Sequence, residues 1–239
     1  MNGHLQLRQI SLAVWLLPLV LAAGWLLPNH YPPWLAFHSN AWAAGALLLL
    51  FLHWCWQTRQ AMVVDGPGVF LLAMAALPWV QHWAGLLPLQ SEAMLLSLYL
   101  LGAALAYMLA RSWNLAAPMG AATPILAGMT VAALLSVGIA TYQWLGLAQN
   151  LDFFDIWMLA FAEGTRPYAN MGQTNQLATL LLCGLLGIAW GWKKRRLSAP
   201  VALFATAWLV WGIALTESRT AMLTLALATA AVTLMRPSC

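Results

Sequence analysis

The chain has 239 residues, of which 63% are hydrophobic and only 7% are charged, whereas about 25% of residues are charged in ordinary globular proteins. This composition excludes a soluble globular domain and indicates a protein of the lipid bilayer. The formal net charge is +4, but the basic residues separate apolar runs instead of forming the patch that nucleic acid requires, so we expect no nucleic-acid partner.

Eight apolar stretches are predicted to be membrane-spanning helices, since a helix needs roughly 20 mostly apolar residues to cross the hydrocarbon core. Charge, proline or asparagine ends each stretch. The predicted fold is therefore an all-α, polytopic membrane protein with about eight transmembrane helices in a single domain over residues 1–239. The predicted spans are Ile10–Leu27, Ala41–Trp56, Gly68–Trp83, Ala93–Ala110, Pro118–Leu145, Gln176–Trp192, Pro200–Leu215 and Ala221–Met235.

The orientation of these spans is predicted from the positions of lysine and arginine, because positively charged loops resist translocation. If the N-terminus lies in the cytoplasm, eight of the ten basic residues fall in inner loops, including the run Lys193–Arg196. That run is best explained as a topology anchor, with anionic lipids as its neighbours. Both termini are thus predicted to be cytoplasmic, and Arg166 and Arg219 stand out because they face outward.

The first outer loop, residues 27–38, reads LPNHYPPWLAFH. Its prolines and asparagine stop a helix, and its aromatic residues suit the headgroup layer, so an interfacial turn is the simplest interpretation. His30 and His38 are potential metal ligands. No third ligand lies near them in the sequence, so we expect no metal site and no cofactor.

The second outer segment, residues 164–176, brings one cation and several carboxamides to the start of the sixth span. If the chain turns at Gly172, then Asn170, Gln173 and Asn175 can place donors near one point, close to Arg166. The free N–H groups at the helix start would favour an anion such as phosphate. The alternative is a solvated loop in which Thr174 or Asn175 caps the helix.

The third outer segment is the connection Leu215–Thr220 between the last two spans. A local ion pair between Glu217 and Arg219 is one interpretation, and exposed pairs of this kind contribute little stability. The other is that Arg219 and Arg166 together hold a phosphate-containing ligand, because a guanidinium binds phosphate oxygens in a bidentate manner. Ser218 would add a hydroxyl to this site.

Together, the three outer segments resemble the bacterial protein O-oligosaccharyltransferases of the O-antigen ligase and polymerase superfamily. Residues 1–60 resemble the N-terminal motif region of pilin-glycosylating ligases, and residues 118–239 resemble the start of the ligase core. The family signature Gly-Asn-x-x-Gln-x-Asn-x-x-Ala is matched at four positions, while Ala169 stands where glycine is usual, and Thr174 and Gln176 replace the common proline and histidine. The matched positions are Asn170, Gln173, Asn175 and Ala178, and the Ser-Arg-Thr turn of the family is carried by Ser218, Arg219 and Thr220.

The resemblance implies a glycosyltransferase of the bacterial inner membrane with its active face toward the periplasm. Such an enzyme takes an oligosaccharide from undecaprenyl pyrophosphate and transfers it to Ser or Thr hydroxyls of a pilin-like or other periplasmic protein. The arginines of the family are thought to hold the pyrophosphate, which assigns donor binding to Arg166 and Arg219 and, beside them, to Asn170, Gln173, Asn175 and Ser218.

The catalytic group is not identified by this resemblance, because the functional histidine of the family lies beyond residue 239. Glu163, Glu217 and His30 are the candidates that the chain itself offers. We therefore expect the chain to be a fragment, a truncated product or one part of a split enzyme, and to insert and bind donor without transferring glycan.

Two other functional classes stay open at this point. A glycan polymerase or a lipid A-core O-antigen ligase of the same superfamily would use the same donor with a different acceptor. A multi-pass transporter or a non-enzymatic membrane subunit is the second class. Transporters place ionisable groups near the midplane of the bilayer, whereas nearly every charge in this chain lies at the end of a span.

Overall fold

The computed structural model of the chain describes residues 16–28, 36–58, 61–117, 119–147 and 164–234. Within these ranges the regular structure is entirely helical. The helices are α1 (Leu16–Leu26), α2 (Phe37–Thr58), α3 (Gly66–Trp83), α4 (Gln90–Ala116), α5 (Ala122–Trp144), α6 (Thr174–Lys193), α7 (Ala199–Thr216) and α8 (Arg219–Leu234).

The prediction of an all-α protein with helices that can cross a membrane is confirmed. Four of the described helices, α4 to α7, are long and apolar enough to cross a membrane. Large apolar side chains on their surfaces are exposed, for example Leu98 on α4, Leu186 on α6 and Phe204 on α7. In a bilayer these side chains would face lipid, which makes their exposure favourable instead of costly.

The residues group by their contacts into two compact units. The first comprises residues 1–42 and 124–239, and the second comprises residues 43–123. The prediction of a single membrane domain stays a prediction.

In the second unit, α3 and α4 pack against each other as an antiparallel pair. The Ser97 hydroxyl on α4 donates to the Ala75 carbonyl oxygen on α3 at 2.8 Å. At the end of the pair where α3 begins, the Val63 amide donates to the Ser112 hydroxyl at 2.8 Å. Polar side chains therefore fix the alignment of the two helices near the middle of α3 and at one end of the pair, where apolar packing alone would allow them to slide.

Asp65 begins α3 and joins it to the end of α4. Its carboxylate accepts hydrogen bonds from the Gly68 amide at 3.3 Å and the Tyr107 hydroxyl at 2.9 Å. It also forms an ion pair with Arg111 at 3.3 Å. Although desolvation raises the pKa of Asp65, the three hydrogen bonds outweigh it and lower this pKa below its usual value.

In the first unit, α5, α6 and α7 approach closely through small residues. A Cβ atom placed on Gly184 of α6 would lie 2.6 Å from the Ala133 Cβ on α5 and 2.9 Å from a Leu209 methyl on α7. Gly212 of α7 similarly faces Val137 of α5. Small residues at crossing points are typical of membrane helix packing, since they allow backbones to approach.

The start of the chain joins the same unit through α1. A Cβ atom on Gly128 of α5 would lie 2.8 Å from the Pro18 carbonyl oxygen and 2.9 Å from the Leu21 Cβ. This contact places α1 directly against α5. It also brings the end of α1 toward the end of the unit where the predicted outer segments lie.

Candidate functional site

The 168–170 turn precedes α6 and is attached to two other helices of the first unit. Asn170 lies in it, and its Nδ2 donates to the Trp25 carbonyl oxygen at 2.7 Å. Trp25 lies in the last turn of α1, where main-chain carbonyls lack helical donors. The second attachment is to Gln143 in the last turn of α5. The ends of α1 and α5 and the start of α6 therefore meet at one end of the unit.

Gln143 satisfies the main chain of this turn. Its Oε1 accepts the amide hydrogens of Tyr168 at 3.2 Å and Ala169 at 2.8 Å. Its Nε2 donates to the Ala169 carbonyl oxygen at 3.5 Å. The side chain is fully buried, and these bonds offset the cost of burying a carboxamide. Burial also raises the pKa of the Tyr168 phenol above its usual value.

The backbone is left-handed at two positions here, one in the turn and one two residues after it. Ala169 has φ of 50° and Gly172 has φ of 68°. Glycine adopts this conformation without strain, while a residue with a Cβ atom pays roughly 1 kcal/mol. The conformation gives a physical reason why glycine, the usual residue of the family signature, suits the position of Ala169.

Replacing Ala169 with glycine is therefore expected to raise the free energy of unfolding by about 0.5–1 kcal/mol, because it removes left-handed strain. Ala140 provides a matched control, since it is fully buried in the regular helix α5. Replacement of Ala140 with glycine should lower stability by about the same amount. Chemical unfolding in detergent measures both, and destabilisation by both variants would contradict the assignment of strain.

Asn170 is fully buried. Its Oδ1 accepts a hydrogen bond from the Ser136 hydroxyl at 2.9 Å, while its Nδ2 is bonded to Trp25. Both ends of the carboxamide are thus engaged inside the protein. In this arrangement Asn170 holds the turn in place and does not present its amide to a ligand, unlike the role that the sequence suggested.

Asn175 and Ser218 connect the start of α6 to the start of α8. The Ser218 hydroxyl donates to the Asn175 Oδ1 at 3.2 Å and accepts from the Ala221 amide at 3.4 Å. Ser218 is buried and acts as the cap of α8, whereas Asn175 is exposed. The structure therefore brings the second and third predicted segments together, which sequence spacing alone could not establish.

Arg166 and Arg219 lie at the same end of the unit as these paired helix starts. Arg166 precedes the turn, Arg219 is the first residue of α8, and both side chains are exposed. Gln173 and Glu217 are also exposed. Glu217 follows the last residue of α7 and has left-handed backbone. It forms no ion pair with Arg219, so the structure does not contain the local ion pair that was one interpretation of this connection.

The opposite end of the same unit carries a different set of charges. The end of α6 and the turn that follows it contain the four basic residues Lys193–Arg196, all of them exposed. Lys194 lies over the Trp190 ring at 4.8 Å from its centroid, a cation–π contact. The unit is therefore polarised, with the run of four at one end and Arg166 and Arg219 at the other.

Several predicted residues lie outside the described ranges. They include His30 with most of the first outer loop, and Glu163 with the segment before it. Within the described ranges, His, Cys, Asp and Glu residues form no cluster that could hold a metal ion. Of the three catalytic candidates, Glu217 alone can be located.

Two residues that organise this end of the unit were not predicted. Ser136 and Gln143 lie seven residues apart on α5, which places them on one face of the helix about two turns apart. The sequence contained a signal for them, because a glutamine within an apolar span has to find hydrogen-bond partners. The predicted site residues instead all lie in the predicted outer loops, and polar residues within the spans were not considered.

The fold and this site define a helical membrane protein with a polar end that carries two unpaired arginines among the described residues. The sequence profile of the protein glycosylation ligases matches residues 167–192, which cover the 168–170 turn and nearly all of α6. The general O-oligosaccharyltransferase of Acinetobacter baylyi is 34% identical to this chain over 209 residues. These matches confirm the resemblance of the chain to the O-oligosaccharyltransferases and protein glycosylation ligases.

The aligned region is a different fraction of each of the two proteins. It covers 84% of this chain but only 34% of the Acinetobacter protein. The chain thus spans about a third of the length of that relative. No solved structure shows significant similarity to the chain.

Proposed function

We propose that this chain provides the donor-binding part of an O-oligosaccharyltransferase that takes an oligosaccharide from undecaprenyl pyrophosphate and transfers it to a Ser or Thr hydroxyl of a protein. The observation that carries the proposal is the hydrogen bond between Asn175 and Ser218. It joins the starts of α6 and α8 at the end of the unit that also carries Arg166 and Arg219, so two cations and two helix N-termini lie at one end of the unit.

The chemistry of the reaction fits these groups. The acceptor oxygen bonds to the anomeric carbon while the bond from that carbon to the pyrophosphate oxygen breaks, and the hydroxyl proton passes to a base. Negative charge grows on the departing lipid pyrophosphate, and fixed guanidinium groups stabilise it. Arg166 and Arg219 are the proposed clamp, with Gln173 and Asn175 as further donors. Asn170 and Ser218 support the site through their internal hydrogen bonds.

The base that activates the acceptor hydroxyl is a separate requirement. Glu217 is the exposed carboxylate nearest in sequence to Arg219, and the absence of an ion pair between them leaves it available. Glu163 and His30 are the other candidates, and both remain predictions. The proposed acceptor is a pilin-like or other periplasmic protein, which the resemblance of residues 1–60 to pilin-glycosylating ligases supports.

The proposed location is the bacterial inner membrane, with eight spans, both termini in the cytoplasm and the site on the periplasmic side. The distribution of charge within the first unit supports this orientation. Lys193–Arg196 lies at the end opposite the site, and basic turns are retained on the cytoplasmic side. An outward site would meet both a periplasmic acceptor and the donor lipid at the membrane surface.

The proposal is tested by measuring binding of radiolabelled undecaprenyl pyrophosphate to the purified chain. Replacing Arg166 or Arg219 with lysine is expected to weaken binding roughly tenfold each, because an ammonium cannot reproduce the planar, bidentate contact. Arg196→Lys is the matched control, since Arg196 is exposed at the opposite end of the unit. Unchanged binding in both single variants and in the double alanine variant would refute the clamp.

A further inference from the structure

The face of α5 toward the 168–170 turn carries two polar side chains that the proposed chemistry does not use. Ser136 and Gln143 are each fully buried, and the Ala133 and Ala140 side chains on the same helix are buried as well. Apart from these two residues, the face is made of small apolar groups. Two hydrogen-bonding residues at this spacing therefore form a specific contact surface on an otherwise apolar face of the helix.

This surface binds the turn at successive points. Gln143 contacts the main chain at Tyr168 and Ala169, and Ser136 contacts the side chain of Asn170. Asn170 continues the series to the Trp25 carbonyl of α1. Three consecutive residues of the turn are thus fixed to helices that are remote in sequence.

The attachment has a direct consequence for the residues around the turn. Arg166 lies two residues before Tyr168, and Asn175 lies five residues after Asn170 in the first turn of α6. The left-handed backbone at Ala169 and Gly172 turns the chain sharply between them. The positions of Arg166 and Asn175 relative to each other therefore depend on how firmly the turn is held.

We infer that Gln143 and Ser136 are positioning residues that hold the 168–170 turn on α5 and thereby set the geometry of Arg166 and Asn175 for binding a pyrophosphate. The inference rests on the proposed function for its ligand. Neither residue has to touch the ligand, because both act through the turn. Misplacement of a binding group by about 1 Å can cost up to 100-fold in a well-organised site, so loss of the attachment should be measurable.

The attachment is tested by the reactivity of a cysteine placed at position 169. Ala169 is 1% exposed, so Ala169→Cys, in a chain whose native cysteines are replaced by alanine, should react slowly with maleimide in detergent. Adding Gln143→Leu removes the three hydrogen bonds that Gln143 makes to the main chain of the turn and is expected to accelerate labelling roughly tenfold. Ser136→Ala should give a smaller acceleration, because it removes one bond.

Two further variants separate positioning from general stability. Thr141→Val is the control, because Thr141 lies on the same end of α5 but accepts its hydrogen bond from Trp211 and not from the turn. It should label at the parent rate. Gln143→Glu retains an oxygen acceptor for the two amide groups and, when protonated, an O–H for the Ala169 carbonyl. It is therefore expected to recover part of the protection, and more of it at lower pH.

The same variants, without the cysteine, are assayed for binding of undecaprenyl pyrophosphate at a temperature where all are folded. Gln143→Leu is expected to bind roughly tenfold more weakly than the parent and Thr141→Val equally well. Equal labelling of parent and Gln143→Leu, equal acceleration by Thr141→Val, or faster labelling without weaker binding would each overturn the inference. If the parent chain itself fails to bind, the proposed function fails, and the labelling rates still decide whether α5 holds the turn.

Discussion

Replacing Asn170 with aspartate is expected to make the stability of the chain fall as pH rises. A protonated carboxyl group can reproduce the native arrangement, with one oxygen accepting from Ser136 and the O–H donating to the Trp25 carbonyl. An ionised carboxylate cannot, because it places negative charge against that carbonyl oxygen in a fully buried site. Burial and the carbonyl both disfavour the charged form, so the pKa of the new carboxyl is raised in the folded state.

The direction of the pH effect follows from this difference. An unfolded aspartate loses its proton near pH 3.9, roughly, while the folded one retains it to higher pH. The folded state therefore binds more protons between the two pKa values, and stability declines as pH rises through this window. Above the folded pKa the loss levels off at about 3 kcal/mol or more, the cost of an uncompensated buried charge.

Thermal unfolding in detergent from pH 4 to pH 9 measures the effect. Asn175→Asp is the matched control. It replaces the same carboxamide with a carboxyl group, but at an exposed position where the charged form is solvated. Its unfolding midpoint should follow that of the parent chain. A parallel pH dependence of the two aspartate variants would contradict the burial of Asn170 in this hydrogen-bonded arrangement.

Replacing Gly184 with valine is expected to disrupt the packing of α5, α6 and α7. Its Cβ atom would lie 2.6 Å from the Ala133 Cβ, a separation that no rotamer can relieve, because both atoms are fixed to the backbone. Helices α5 and α6 would have to separate. The expected loss is about 3 kcal/mol, the upper range for overpacked cores.

Gly138 provides the matched control, because it lies on α5 with nothing within 4 Å of its Cβ position. Gly138→Val should change the free energy of unfolding by less than about 0.5 kcal/mol. If Gly184→Val does not accumulate, the pair Gly184→Ala with Ala133→Gly transfers one methyl group across the interface and should restore a folded chain. Denaturant titration compares all three, and equal losses for the two valine variants would refute close packing at Gly184.

The positions of the helices could be predicted from the sequence because their signals are local. Each of the eight described helices overlaps one predicted span. Both α3 and α7 begin with proline in the first turn, where a missing N–H costs nothing. Span number and orientation depend on a membrane, and they stay predictions beyond the four helices that meet the requirements for crossing it.

The helices extend beyond the predicted spans where polar residues continue them. α4 runs to Ala116 although its predicted span ended at Ala110. Arg111 was taken as the end of the apolar stretch, but the helix continues through it, and its side chain bonds to Asp65. Hydropathy marks where a helix leaves the membrane and not where its hydrogen bonding stops.

The candidate site could be predicted only in part for a related reason. Sequence motifs indicated which residue types are present near Arg166 and Arg219, and the contact between Asn175 and Ser218 brings the two segments together. The sequence could not show that Asn170 faces inward, because its partners Ser136 and Trp25 lie 34 and 145 residues away. Local composition identifies a carboxamide, while tertiary packing decides whether it meets a ligand or a helix.

The 168–170 turn is held by neutral groups, namely two carboxamides, a hydroxyl and main-chain amides and carbonyls. None of these gains or loses a proton between about pH 2 and 12, and dissolved ions screen such bonds far less than they screen charge pairs. The turn should therefore keep its place when the acidity or ionic strength of the medium changes. Any salt dependence of anion binding at this end then reports on the charged side chains and the phosphates, and not on the turn.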